Sequence, residues 1–89
     1  MRFVLDGSSV GSREALHQTL AAGLRLPDWY GGNLDALHDC LTDITEPTEL
    51  VIRGGAALET ALGVYCKSLR RVLADCAAEN GAFSVIWEE

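Results

Sequence analysis

The stretch LVIRGGAALETALG, residues 50–63, decides the fold class. Its first three residues are apolar and two of them are β-branched, which predicts a strand that includes Arg53, and Gly54 and Gly55 break that strand. From Ala56 to Leu62 the apolar spacing becomes helical, and it stops near Gly63. Strands that alternate with helices imply parallel pairing through helical crossovers. The stretch therefore predicts an α/β protein.

The same alternation extends toward the N-terminus. RFVLD, residues 2–6, predicts a strand that ends at a Gly-Ser-Ser turn. A helix is then predicted from the N-cap Ser12 until Pro27 ends it, with leucines every fourth residue. Asn33 is placed to cap a second helix that runs to about Asp43. The apolar positions of these two helices are Leu16, Leu20, Leu24, Leu34, Leu37, Leu41 and Ile44.

Toward the C-terminus, a longer helix is predicted from Tyr65 to Glu79, with Leu69, Val72, Leu73 and Cys76 on one face. Asn80 and Gly81 close it in the usual C-terminal fashion. FSVIW, residues 83–87, predicts a third strand. Residues 1–89 are thus expected to form one domain, a small three-stranded parallel sheet packed by about four helices.

Length and composition narrow the function. A chain of 89 residues can bury one modest core but not a core plus a deep substrate cavity. No apolar run is long enough to span a membrane, and the N-terminus does not resemble a signal peptide, so we expect a cytoplasmic protein. The cysteines Cys40, Cys66 and Cys76 have no metal-site spacing and are expected to be reduced, buried thiols.

The net charge of −6 argues against nucleic acid as a partner. The segment from Asp28 to Glu49 holds six acidic residues and no lysine or arginine, whereas the rest of the chain holds seven acids and seven bases. One segment therefore carries the whole imbalance.

The second predicted helix carries acids on one face. Asp35 and Asp39 are four residues apart and point the same way, with His38 beside them and Thr42 one turn on, while the leucines take the other face. The two carboxylates repel each other by about 0.2–0.5 kcal/mol, and the helix dipole disfavours Asp43. Helix stability alone does not explain this arrangement.

Two interpretations of this helix compete. A solvated face is the simpler one, because charge runs usually serve solubility. An interface is favoured by the missing bases and by the preceding loop, which presents Trp29 and Tyr30 among glycines. Carboxylates can imitate phosphate, so a cleft lined with arginine, lysine and histidine, such as a ribonuclease active site, is a fitting target.

The motifs LHQTL (16–20), LPDWYGGNLDALHDCLT (26–42) and SVIW (84–87) resemble the barstar family, the intracellular inhibitors of extracellular bacterial ribonucleases of the barnase type. The resemblance implies a barstar-like fold that agrees with the elements predicted above. It also implies one guanyl-type microbial ribonuclease bound per inhibitor chain, with the inhibitor a monomer when free, and it implies no nucleic acid, membrane or cofactor partner.

The family's contact positions carry over residue by residue. Asp39 corresponds to the principal phosphate mimic, Asp35 to a second carboxylate, and Trp29 to an aromatic that packs on the enzyme. Close backbone and edge contacts would come from Gly31, Asn33, Leu34 and Ala36, and Thr42 and Asp43 extend the surface.

Three departures from the family pattern stand out. His38 replaces an aromatic residue and can either stack or titrate. Asp43 and Ile44 replace a small residue and an aromatic, so the partner can differ. The family's last helix supplies one contacting acid, which is Asp75 if one residue is inserted before Gly81, or else Glu79.

Other interpretations remain beside these. No nucleophile elbow, phosphate-binding glycine loop or metal-ligand spacing supports an enzyme. A metal site from Asp35, His38 and Asp39 would need ligands from a second element. The acidic side of the second predicted helix could also dock a basic partner that is not a nuclease.

Five residues near the predicted interface also have purely structural interpretations. Trp29 or Tyr30 could belong to the core, and His17 on the first helix is read as structural. Gly31 and Gly32 could form only a turn.

Overall fold

Three parallel strands form one sheet in the computed structural model, which describes residues 1–89. The strand order is β1-β2-β3, and four helices connect the strands. The α/β prediction is confirmed. The elements are β1 (Arg2–Asp6), α1 (Arg13–Gly23), α2 (Leu34–Thr42), β2 (Thr48–Arg53), α3 (Gly55–Leu62), α4 (Val64–Glu79) and β3 (Phe83–Glu88), with a short 3₁₀ turn at Gly7–Ser9.

The two faces of the sheet differ because side chains alternate along each strand. Rows such as Leu5, Ile52 and Trp87 pack into the core with the helices. The opposite face, which we call the open sheet face, has an apolar row between two rows that contain charged residues. The three rows are Arg2, Glu49 and Ser84; Val4, Val51 and Ile86; and Asp6, Arg53 and Glu88. The rows with charged residues contain the pairs Arg2–Glu49 and Arg53–Glu88.

The predicted apolar positions form most of the core. The leucines at 16, 20, 24, 37, 41, 69 and 73 are all buried, whereas Leu34, Ile44 and Val72 are only partly buried. The three cysteines are free and buried, as predicted. Burial raises the pKa of the Cys76 thiol to about 11, which keeps it protonated and unreactive at neutral pH.

Both predicted N-caps are present. The side chain of Ser12 accepts a hydrogen bond from the backbone N–H of Ala15, and that of Asn33 accepts one from Ala36. Gly54 follows β2 in the left-handed conformation, with φ of 68°, so this break in the strand requires glycine. None of the four helices combines the length and the apolarity that crossing a lipid bilayer would need.

The end of α4 corrects one prediction. The helix does stop at Glu79, but neither Asn80 nor Gly81 takes the left-handed conformation of the usual C-terminal cap. Asn80 is extended, with φ of −131° and ψ of 106°. Its backbone N–H still bonds the Cys76 carbonyl, whereas its side-chain amide donates to carbonyl oxygens at the end of α2.

Candidate interface on helix α2

Helix α2 is oriented by its apolar side. Leu37, Cys40 and Leu41 are buried, so the residues between them face outward. At its start, the Asn33 side chain accepts the Ala36 N–H at 2.8 Å. The exposed side consists of Asp35, Asp39 and Asp43. The structure therefore places these three predicted residues on one accessible side of the helix.

These aspartates have no lysine or arginine neighbour. The arginine ion pairs of the protein are Arg2–Glu49, Arg53–Glu88 and Arg70–Glu89, all away from α2. Within the acidic segment only Glu49 is neutralised by an arginine, at 3.1 Å. The other five acids, Asp28, Asp35, Asp39, Asp43 and Glu46, have no lysine or arginine within ion-pair distance. Their negative charge is therefore left for the solvent or a partner.

A histidine links α2 to the last helix. The Nε2–H of His38 donates to Glu79 Oε2 at 2.6 Å, and its Nδ1 lies 3.9 Å from Asp39 Oδ1. The hydrogen bond to Glu79 raises the pKa of His38 and outweighs the opposing effect of burial, and the charges of Glu79, Asp39 and Asp75 add to the rise. Of the two candidate acids on α4, Glu79 is the one bonded to α2, while Asp75 is exposed nearby.

Asn80 fixes the far end of α2. Its amide donates to the carbonyl oxygens of Leu41 and Ile44, at 2.9 Å each, and its own oxygen accepts the Ala82 N–H at 3.0 Å. The orphan carbonyls of the α2 C-terminus thus find a partner on α4. Sequence reasoning missed this role, because the bonded carbonyls lie 36 to 39 positions away in the chain.

The loop before α2 has one anchored and one free aromatic residue. Tyr30 is partly buried, and its hydroxyl hydrogen-bonds Nδ1 of His17, whose Nε2 bonds the Tyr65 hydroxyl at 2.7 Å. Burial lowers the pKa of His17, so the ring is favoured in its neutral form inside this network. His17 and Tyr30 are therefore structural. Trp29 is 68% exposed and is not among the residues packed against the core.

The remaining predicted residues differ in accessibility. Gly31 and Asn33 are exposed, whereas Leu34, Ala36 and Thr42 are partly buried. The Thr42 hydroxyl donates to the His38 carbonyl at 2.9 Å, so its donor is used within the helix. Gly32, with φ of 69°, is the loop position that needs glycine.

The surface around α2 offers no metal site. No group of three or more histidine, cysteine, aspartate or glutamate side chains is arranged to hold a metal ion. A groove of about 650 Å³ beside the loop is lined in part by Arg13, Tyr30, Gly31 and Tyr65. Asp35 and Asp39 line neither this groove nor any other groove of the protein, so their carboxylates lie on open surface, whereas Asp43 borders two shallow grooves at the end of α2.

The fold and the exposed aspartates together define the class of this protein: a small α/β protein whose acidic helix is not neutralised by lysine or arginine. The family described as Barstar (barnase inhibitor) matches residues 1–87. The chain is also 36% identical over 89 residues to the protein named "Putative ribonuclease inhibitor YrdF" of Bacillus subtilis (strain 168), with 98% of each chain covered. The chain belongs to the barstar family. Its members are inhibitors and not enzymes, which confirms the prediction that this chain is not an enzyme.

Proposed function

We propose that the chain inhibits a guanyl-type microbial ribonuclease by covering the enzyme's basic active site. The contact surface is the acidic face, defined as Asp35 and Asp39 of α2, Asp43 at the C-cap of α2, and Glu79 of α4. The observation that carries the proposal is that the three α2 carboxylates are exposed and have no lysine or arginine partner. Membership in a family described by barnase inhibition supplies the class of target.

The acidic face would act as a phosphate mimic. A ribonuclease holds its substrate's phosphates with arginine, lysine and histidine, and carboxylates accept charge-assisted hydrogen bonds from the same donors. Asp39 lies in the middle of α2 and is 76% exposed, so it is the side chain best placed to enter a cleft. Asp35 would meet a second basic group one turn earlier, and Trp29 would cover the enzyme surface beside the cleft.

Rigidity supports this role. The acidic helix is held by its buried leucines, by the Asn33 cap and by Asn80 at the far end. A helix fixed in this way loses little conformational freedom on binding, so more of the interaction energy remains as affinity. We propose one inhibitor per enzyme, formed in the cytoplasm, where an inhibitor of a secreted ribonuclease protects cellular RNA before the enzyme is exported.

A titration of ribonuclease activity tests the proposal. Barnase is mixed with increasing amounts of the chain, and cleavage of a fluorogenic RNA substrate is recorded. We expect cleavage to fall to the background level at about one equivalent. Asp39→Asn removes one charge without changing shape and should shift the curve to higher inhibitor concentrations. Glu88→Gln removes one charge from the open sheet face and is the matched control.

The outcomes separate the candidate functions. Loss of cleavage with the parent chain and weaker inhibition by Asp39→Asn alone support the proposal. Binding to barnase or to a related ribonuclease with no loss of cleavage would instead make the acidic face a docking surface for basic proteins in general. Inhibition that is weakened equally in the Asp39→Asn and Glu88→Gln variants would show that binding depends only on the net charge of the inhibitor.

A further inference from the structure

We propose that His38 is an internal cation of the acidic face that is exchanged for a cation of the partner on docking. In the free protein the His38 ring is hydrogen-bonded to the carboxylate of Glu79. On docking, a cationic group of the partner binds this carboxylate in place of His38, and the imidazole releases its proton to the solvent. The inference rests on the proposed function, because it describes how the same surface exchanges an internal cation for an external one.

The geometry gives His38 this position. Its Nε2 lies 2.6 Å from Glu79 and its Nδ1 lies 3.9 Å from Asp39, so both ring nitrogens face carboxylates. The side chains of His38 and Glu79 are 36% and 54% exposed, which leaves both within reach of a docking protein. His38 is thus the one side chain of α2 that can present a positive charge inside the acidic face.

All charged groups acting on the ring have the same sign. Glu79 and Asp75 belong to α4, the helix packed against α2, and Asp39 belongs to α2 itself. No lysine or arginine of any element opposes them. The proton on His38 is therefore stabilised in the free protein, and the imidazolium offsets part of the negative charge that a basic partner would meet.

A basic cleft of the partner would surround the His38 ring with positive charges instead of negative ones. Its arginines and lysines compete for Glu79 and Asp39 and repel an imidazolium lying between them, so docking favours neutral His38. The sign of the linkage follows. Affinity should be lowest at acidic pH, should rise as pH approaches the raised His38 pKa of the free protein, and should level off above that pKa. Release of one proton allows a slope of up to about tenfold per pH unit.

Two measurements test the exchange directly. The first is an NMR titration of the His38 ring in the free chain and in the chain saturated with an octa-arginine peptide at low salt. The pKa of His38 should fall on saturation. The second is calorimetry with barnase in two buffers of different ionisation enthalpy, which counts released protons. Between zero and one proton should leave per complex, with more leaving as the pH is lowered through the free pKa.

Three variants sharpen the test. His38→Gln keeps a hydrogen-bond donor but cannot titrate, so its affinity should lose the rise with pH. His38→Lys carries a permanent charge and should bind more weakly than the parent at the upper end of the pH range. Glu79→Gln should lower the His38 pKa in the free chain and reduce proton release.

The two proposals fail in different ways. An unchanged or raised His38 pKa on saturation, or a parent affinity with the same pH profile as His38→Gln, overturns the exchange even if barnase is fully inhibited. A fall in the His38 pKa with octa-arginine in a chain that inhibits no ribonuclease supports the exchange and overturns the proposed function.

Discussion

Two exposed charged surfaces of this protein are built in opposite ways. On the open sheet face, Arg2 pairs with Glu49 and Arg53 pairs with Glu88, each at 3.1 Å. On the acidic face, the α2 aspartates have no arginine or lysine partner, and the one available cation is a histidine. Both surfaces meet water, so solvation alone does not account for the difference.

The charges of the open sheet face are neutralised within the protein, whereas those of the acidic face would be neutralised by a partner. Exposed ion pairs such as those of the open sheet face contribute about 0–1 kcal/mol and keep the surface locally neutral. Aspartates four residues apart on a helix instead cost about 0.2–0.5 kcal/mol. In a small protein such repulsion lowers an already modest stability. The unneutralised aspartates are therefore explained by binding to a partner and not by folding.

Salt should produce the largest effect. Electrostatic steering raises association rates about 10- to 1,000-fold, and salt screens it. We therefore expect the association rate with barnase, measured by stopped-flow fluorescence, to fall by a factor in this range from low to high ionic strength. The neutral pairs of the open sheet face add little steering. A rate that does not respond to salt would contradict the contrast between the surfaces.

Asp39→Ala should produce the next largest effect. A hydrogen bond to a charged group contributes about 1.5–3 kcal/mol, so the affinity for the ribonuclease should fall about 10- to 150-fold. The free energy of unfolding should stay unchanged or rise slightly, because repulsion with Asp35 is relieved. Isothermal calorimetry and urea denaturation measure the two quantities. An unchanged affinity would remove Asp39 from the interface.

Asn33→Ala tests whether the acidic face depends on the order of α2. Loss of the N-cap should destabilise the protein by about 0.5–2 kcal/mol, and fraying of the first turn should weaken ribonuclease binding. Ser12→Ala removes the corresponding cap of α1 and is the matched control. It should lower stability by a similar amount and leave affinity unchanged. Equal losses of affinity in the two variants would mean that global stability, and not α2, sets binding.

Glu88→Ala should have the smallest effect. Breaking the exposed pair with Arg53 should cost no more than about 1 kcal/mol of stability and leave ribonuclease affinity unchanged. Thermal denaturation and calorimetry measure the two. A loss of affinity comparable to that of Asp39→Ala would place the open sheet face in the interface and abolish the contrast.

The features that the sequence predicted are local in the chain. Strand and helix periods, the caps at Ser12 and Asn33, and the outward direction of Asp35 and Asp39 all depend on residues within one or two turns of each other. Hydrophobic spacing and side-chain capping therefore predicted the fold class and the exposed side of α2 correctly. The exposure of Trp29 was left open, because an aromatic residue in a glycine-rich loop suits either a core or an interface.

The features that the sequence missed join distant segments. The bond between His38 and Glu79 spans 41 positions, and the choice between Asp75 and Glu79 as the neighbour of α2 depends on how α4 crosses it. The Asn80 contacts and the pairing of Arg2 with Glu49 have the same origin. No local pattern encodes such pairings, since the packing of whole elements brings these residues together.

Chemical-shift mapping tests the central claim most directly. The isotope-labelled chain is titrated with the ribonuclease that it inhibits, and backbone amide shifts are compared before and after saturation. We expect the largest changes at Trp29, along α2 and at Glu79, with little change at Arg2, Arg53 and Glu88. Changes centred on the open sheet face, with α2 unperturbed, would contradict the claim.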